Sequence, residues 1–215
     1  MKKILFILPD LKYGGAQKNI VNIANNLSDK YTCKIITVYN KKIEFDIKSN
    51  IQLDKLNFSK LRYSFFKLYN KIYNFSPDVI ISSIGYTNLL VIILSLLIPK
   101  KIKVIIREAN YLKINLNNSK NYFINLIIYK YFYNFSYKII CTSNDMKIKL
   151  IDLLGKKIGN KVIVINNFVD NKEKIKKIKL NAKTINKKRL IFTAIGRLHF
   201  QKGFDRLIKH FINFK

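Results

Sequence analysis

Acidic residues are the scarcest chemistry in this chain: 12 Asp plus Glu stand against 41 Lys plus Arg, a formal charge of +29 over 215 residues. Tryptophan is absent, and there are only three prolines and two cysteines. Cys33 and Cys141 are too few for a disulfide framework and lack any metal-ligand spacing, so they read as buried, reduced thiols of a cytosolic protein. Long apolar runs are missing too. The longest, Leu89 to Ile98 with Ser95 inside it, stops at Pro99-Lys100-Lys101, short of the roughly 18 residues of a membrane span. The amino-terminal apolar run, Ile4 to Leu8, ends at Pro9-Asp10 and is shorter than the roughly 7 to 15 residues of a signal-peptide core. Arginine is also rare, with five in the chain, and base readout favours arginine, so nucleic acid is excluded as a partner. The lysine excess reads first as compositional drift of an AT-rich coding sequence spread over a solvated surface. Attraction to acidic lipid head groups is the functional alternative.

What is present suits a globular α/β chain. At 49% hydrophobic and 13% aromatic residues, it can bury one good core and part of a second. Lys3 to Leu8 reads as a first buried strand, followed through Gly14-Gly15 by a helix with Ile20, Ile23, Ala24 and Leu27 inward. Cys33 to Tyr39 and Ile51 to Leu56 are the next strands. A helix from Leu61, with Phe65, Leu68, Tyr69 and Ile72 on one face, ends before Ser76-Pro77. Val79 to Ser82 is a strand, Asn88 to Ile98 a buried helix and Val104 to Ile106 a strand. Residues 111 to 118 read as a loop and Tyr122 to Tyr133 as an aromatic helix. Lys138 to Cys141, a helix capped within Thr142 to Asp145, and a strand Val162 to Ile165 complete the series. The alternation predicts an α/β, Rossmann-like, doubly wound parallel sheet over residues 1–170. Residues 171–189 are Lys-rich and read as a short helix and linker. Residues 190–215 open a second, incomplete Rossmann-like domain: an apolar run of β character, Leu190 to Ala194, then a helix with Phe204, Leu207, Ile208 and Phe211 on one face.

Ligands of open α/β sheets bind outside the carboxyl ends of the strands. Four features fall there: Gly14-Gly15, Arg107-Glu108, Asn166 to Asp170, and the loop Gly196 to Gly203 with Arg197 and Lys202. The last combines a glycine-punctuated basic loop with a helix N-terminus, a place for a phosphate. Gly14-Gly15 lacks the G-x-G-x-x-G spacing of a dinucleotide site and serves equally as a tight turn. Arg107 and Glu108 read either as substrate contacts or as an exposed structural ion pair.

The blocks ILFILPDLKYGGAQKNIVNIANNL, SPDVIIS, VIVINNFVD and AIGRLHFQKGFDRLI, in this order and spacing, resemble family 4 retaining glycosyltransferases of GT-B fold. The resemblance covers the amino-terminal, acceptor-side domain and the start of the carboxyl-terminal, nucleotide-sugar domain. It implies transfer of a sugar from a nucleotide-diphosphate donor to a glycan or lipid-linked acceptor, in surface polysaccharide biosynthesis at the cytoplasmic membrane face. It further implies that Arg197 and Lys202 neutralise the donor diphosphate in place of a metal, with no other cofactor, and that Gly14 and Gly15 close on the donor. Many members carry a histidine where Ala109 stands. His199 and His210 read as non-catalytic. The family's paired glutamates of the carboxyl-terminal domain have no counterpart before Lys215, so the chain is expected to be truncated or split, weakly active alone, and completed by a separate carboxyl-terminal fragment. The alternative is a non-enzymatic remnant, or an acceptor- or membrane-binding module. The basic, aromatic helices at 61–75 and 119–135 suit peripheral contact with an anionic membrane.

Overall fold

The computed structural model describes residues 1–117, 119–167, 192–196, 198 and 202–212. The chain divides into two compact units, Met1–Val169 and Asp170–Lys215. The first holds seven parallel strands: β1 (Lys3–Leu8), β2 (Thr32–Tyr39), β3 (Gln52–Phe58), β4 (Val79–Ser83), β5 (Lys103–Arg107), β6 (Lys138–Cys141) and β7 (Val162–Val164). Their spatial order is β3-β2-β1-β4-β5-β6-β7. The order therefore reverses between β1 and β4, which opens the crevice where ligands of such sheets bind.

Alternation along β1 builds both faces of the sheet. Leu5 and Ile7 pack into a cluster with Leu68 and Ile72 of α2 (Phe65–Phe75), Val91 and Ile92 of α3 (Gly85–Leu97), and Tyr129 of α5 (Tyr122–Phe132). Ile4, Phe6 and Leu8 face the other way, against Ile20, Val21 and Ala24 of α1 (Gly15–Leu27). Phe6 sits opposite Ile35 of β2 and Ile81 of β4 and is fully buried. The predicted α/β sheet is thus present, with helices packed on both of its faces.

Two expectations are corrected. Residues 111 to 118 are not a plain loop: α4 (Leu112–Asn117) forms there, with Leu112 and Leu116 buried. One turn supplies a single i, i+4 apolar pair, too little periodicity to stand out among Asn and Lys. Residues 192–195, in the run given β character, are not in a strand. A strand exists only through a partner ladder, and apolar composition alone does not supply one. The helix after that run is present as α7 (Phe204–Ile212). The linker at 171–189 lies outside the described residues. Ser143 is the N-cap of α6 (Asn144–Leu154), its hydroxyl accepting from the Met146 amide, and both cysteines are free and buried. No described helix is long and apolar enough to cross a membrane.

Candidate functional site

The carboxyl edge of the sheet is built from the exits of β1, β4, β5 and β7. After β1 the chain is pinned through Pro9, whose carbonyl accepts from the amides of Val38 and Tyr39, and through Leu11, which is buried. Asp10 Oδ1 accepts from the Lys12 amide and from Gln17 Nε2, both at 3.2 Å. This delivers Gly14 and Gly15 to the start of α1. The α1 N-terminus has no side-chain cap and no acidic residue in its first turn, so its first N–H groups face outward with the positive end of the helix dipole. Nothing lies within 4 Å of where a Cβ on Gly15 would stand, which leaves room for a ligand to reach that backbone.

Beside it, β4 leaves through Ile84 at φ 80° and Gly85 at φ 46°. A β-branched residue in that region is strained by about 1–3 kcal/mol. The strain sits at the exit of β4, the strand beside β1 at the topological switch.

Arg107 and Glu108, at the end of β5, are buried, with relative exposures of 4% and 1%. The exposed ion pair considered from sequence is therefore corrected: the two side chains diverge into separate hydrogen-bond sets. Arg107 Nη2 donates to Asn167 Oδ1 at 2.6 Å, tying the β7 exit to β5, and Nη1 reaches Ser83 Oγ at 3.4 Å. Glu108 Oε1 accepts from the Tyr133 hydroxyl and from Asn88 Nδ2 at 2.9 Å. Asn88 is itself held by Ser82 Oγ at 2.6 Å and donates to the Arg107 carbonyl at 3.2 Å. Burial pushes the Glu108 carboxyl up to about 7, against the lowering by Tyr133, Asn88 and the Arg107 charge. The same burial, with Glu108 close by, holds the Tyr133 hydroxyl well above its usual range. The Tyr129 hydroxyl is buried without a partner among the described residues.

Sequence reasoning missed Ser82, Asn88 and Tyr133. Asn88 carried a signal, being the one amide in the otherwise apolar stretch Leu89 to Ile98 and its approach. Tyr133 carried none within an aromatic-rich helix.

Glu108 gives a prediction with a definite sign. Its folded pKa lies above the roughly 4.3 of an unfolded carboxyl, so between pH 4.3 and 7 the folded chain holds a proton that the unfolded chain has lost. Its contribution is fully favourable below that window and is lost as pH rises through it, by about 4 kcal/mol in total. Urea unfolding of the wild type should therefore show stability falling from pH 5 to pH 7.5 relative to Glu108→Gln, whose amide keeps the Oε1 acceptor without ionising. Parallel profiles for the two proteins would refute this.

The second unit holds the other predicted residues. Arg197 and His199 lie outside the described residues. Lys202 is exposed and directly precedes Gly203, whose φ of +67° is a conformation that favours glycine. The Gly203 carbonyl accepts from the Leu207 amide at the start of α7. A Cβ on Gly196 would meet Phe204 Cζ at 3.3 Å and the Lys202 stem at 3.5 Å, so Gly196 allows the loop to fold back on the helix start. His210 lies on α7, which has Asp205 in its first turn. Among the described residues, no group of three His, Cys, Asp or Glu is placed to hold a metal.

Comparisons with known proteins agree with this architecture. Among solved structures, HepE from Anabaena in complex with UDP-glucose superposes with a TM-score of 0.58 at 18% identity, covering 79% of this chain and 45% of that one. The lipopolysaccharide outer core galactosyltransferase WaaB in its apo form gives 0.60 at 16% identity, covering 78% and 46%. UDP-GlcNAc 2-epimerase from Neisseria meningitidis, bound to UDP-GlcNAc, gives 0.53 at 18%, covering 77% and 47%. The chain thus spans a little under half the length of the structures it matches. At these identities the likeness is one of fold, and the presence of an epimerase shows that this fold serves more than one reaction. No curated protein matches. The sequence model of Glycosyltransferase Family 4 matches residues 13–173, from the Gly14-Gly15 turn to just past the β7 exit, and the chain belongs to that family.

Proposed function

We propose that this chain takes part in transferring a sugar from a nucleotide-diphosphate donor to a glycan or lipid-linked acceptor in surface polysaccharide biosynthesis. The observation that carries the reading is the uncapped N-terminus of α1 behind Gly14-Gly15, at the switch point of a family 4 sheet. An anionic leaving group is stabilised where backbone N–H groups and a helix dipole converge. Arg197 and Lys202 of the second unit bring the positive charge that the family resemblance assigns to the donor diphosphate. The diphosphate becomes more negative as the glycosidic bond to it breaks, and fixed cations favour that state over the ground state.

Incubating the chain with UDP-sugars and a glycan acceptor, and following the release of UDP, tests the reading. Release that depends on the acceptor is the expected result. A chain that neither binds nor cleaves any nucleotide sugar would favour the remnant or acceptor-binding alternative.

The second part of the reading is peripheral contact with an anionic membrane on the cytoplasmic side. It is supported by the outer face of α5, where Phe123, Ile127 and Tyr131 follow at i, i+4 and i+8 with exposures of 77%, 66% and 61%. Apolar side chains at helical spacing on a strongly basic chain suit insertion into the head-group boundary. Sedimentation with vesicles containing acidic phospholipid should capture the chain at low salt and lose it severalfold at 0.5 M salt. Phe123→Ser with Ile127→Ser should weaken capture while leaving the fold intact, because both side chains are solvent-exposed. Equal capture by neutral vesicles would count against the electrostatic part.

A further inference from the structure

A cavity of about 530 Å³ lies between α4 and α6, next to the carboxyl ends of β5 and β6. Its base is buried and mostly apolar: Leu112, Cys141, Met146 and Leu150. Its rim is exposed and includes Lys113, Ile114 and Lys149. Along α6 the lining runs from Met146 to Leu153, seven residues or about 10 Å of helix, so the space is an elongated groove. One end meets Glu108. There the carboxyl is already oriented, because Tyr133 and Asn88 both bond Oε1, leaving Oε2 without a side-chain donor among the described residues. Glu108 stands two strands from β1 in the sheet order, about 10 Å sideways at the usual strand spacing.

A sugar ring would find polar partners at the rim, among them Asn110, Asn117 and Asp152, but at the base its hydroxyls would face Leu112, Met146 and Leu150 with nothing to bond. An apolar chain fits the walls. A polar head fits the Glu108 end, where Oε2 can meet a hydroxyl, and Lys113 at the rim can meet an anionic group on the same molecule, Lys149 being paired with Asp145 at 2.8 Å. The volume is also within the roughly 300–1,000 Å³ usual for small-molecule sites.

The geometry points to this groove as the binding site for the apolar segment of an amphiphilic acceptor, an alkyl or prenyl chain lying along α6 with its hydroxyl-bearing end at Glu108. Calling the ligand an acceptor rests on the glycosyl-transfer reading; the groove's preference for an apolar chain does not. The lateral offset of Glu108 from β1 gives the arrangement its use. A chain anchored along α6 would hold the attached hydroxyls near the strand ends, toward the Gly14-Gly15 turn, and so convert part of the encounter with the donor into positioning.

The chain offers its own probe. It has two methionines, Met1 and Met146; Met146 lines the groove at 7% exposure, whereas Met1 is 91% exposed. With [ε-¹³C]methionine in the full chain, octyl glucoside below its micelle concentration should shift the Met146 methyl saturably and leave Met1 unmoved. Methyl glucoside, the same head without the chain, should shift neither. Leu150→Trp, which fills the groove, should weaken octyl glucoside binding at least about tenfold by calorimetry. Should that variant misfold, Ile114→Asp places a charge on the exposed wall and should weaken binding by a similar factor while the chain stays folded. An equal response to methyl glucoside, the absence of a saturable Met146 shift, or undiminished binding in the folded variants would overturn the proposal. No nucleotide sugar is present in this experiment, so its failure leaves the transfer reading standing, and failure of UDP release leaves the groove standing.

Discussion

Replacing Lys202 by alanine is expected to lower acceptor-dependent release of UDP about 100- to 1,000-fold, the usual cost of removing one preorganised group that meets developing charge. The argument runs from the loop. Gly203, at φ +67°, turns the chain into α7 directly after Lys202, and Gly196 lies against the lysine stem. Lys202 therefore sits directly before the Gly203 turn that starts α7. A diphosphate there would receive a charge-assisted bond from Lys202 and a fixed dipole from α7. Arg197→Ala should act in the same direction. The double variant should lose less than the product of the two single losses if both cations serve one anion, because groups acting as a unit are non-additive. Lys202→Arg should restore part of the loss by keeping the charge. The measurement is kcat/KM for UDP release by the full chain, with UDP affinity by calorimetry beside it. Unchanged values for Lys202→Ala would remove this residue from the donor site.

Phe6→Ala should destabilise the first unit by about 3–5 kcal/mol, most of what a domain of this kind has to lose. Phe6 is fully buried in the central strand, flanked by Ile35 and Ile81 and facing α1. Its removal leaves a cavity that strands hydrogen-bonded on both sides cannot collapse to fill. The functional consequence is local as well, since β1 and α1 together position the Gly14-Gly15 turn. Urea midpoints of Phe6→Ala and Phe6→Leu should separate clearly, with the leucine variant losing much less. A loss below about 1 kcal/mol for the alanine variant would contradict the buried position of this side chain.

Most of the first unit was legible in the sequence because its signals are local and periodic. Lys3 to Leu8 alternates between two apolar faces, and Ile20, Ile23, Ala24 and Leu27 recur at helical spacing. Ser76-Pro77 and Pro99 end their helices with side chains that any helix would reject. α4 escaped because one turn carries too little pattern. Residues 192–194 misled because β composition states a preference, whereas a strand is a pairing with another segment. The candidate site divides along the same line. Gly14, Gly15, Arg197 and Lys202 stood out through residue type and order, matched to a family pattern. Ser82 and Tyr133 did not, since serine and tyrosine at those places look like ordinary strand-end and helix residues, and Asn88 showed only as an amide beside an apolar run.

By itself, then, the sequence determined the alternation of strands and helices, the absence of a long apolar helix, the strongly basic surface and the family. Each of these depends on residues close together in the chain or on a pattern read in order. Only the tertiary structure decided the state of Arg107 and Glu108. Adjacent in sequence, they are turned apart by partners drawn from elsewhere: Glu108 by Asn88 and Tyr133, 20 and 25 residues away, and Arg107 by Asn167, 60 residues away. The same folding set α4 against α6 and so made the groove at Glu108. Burial and hydrogen bonding are properties of what surrounds a group, and for these residues the surroundings come from across the sheet.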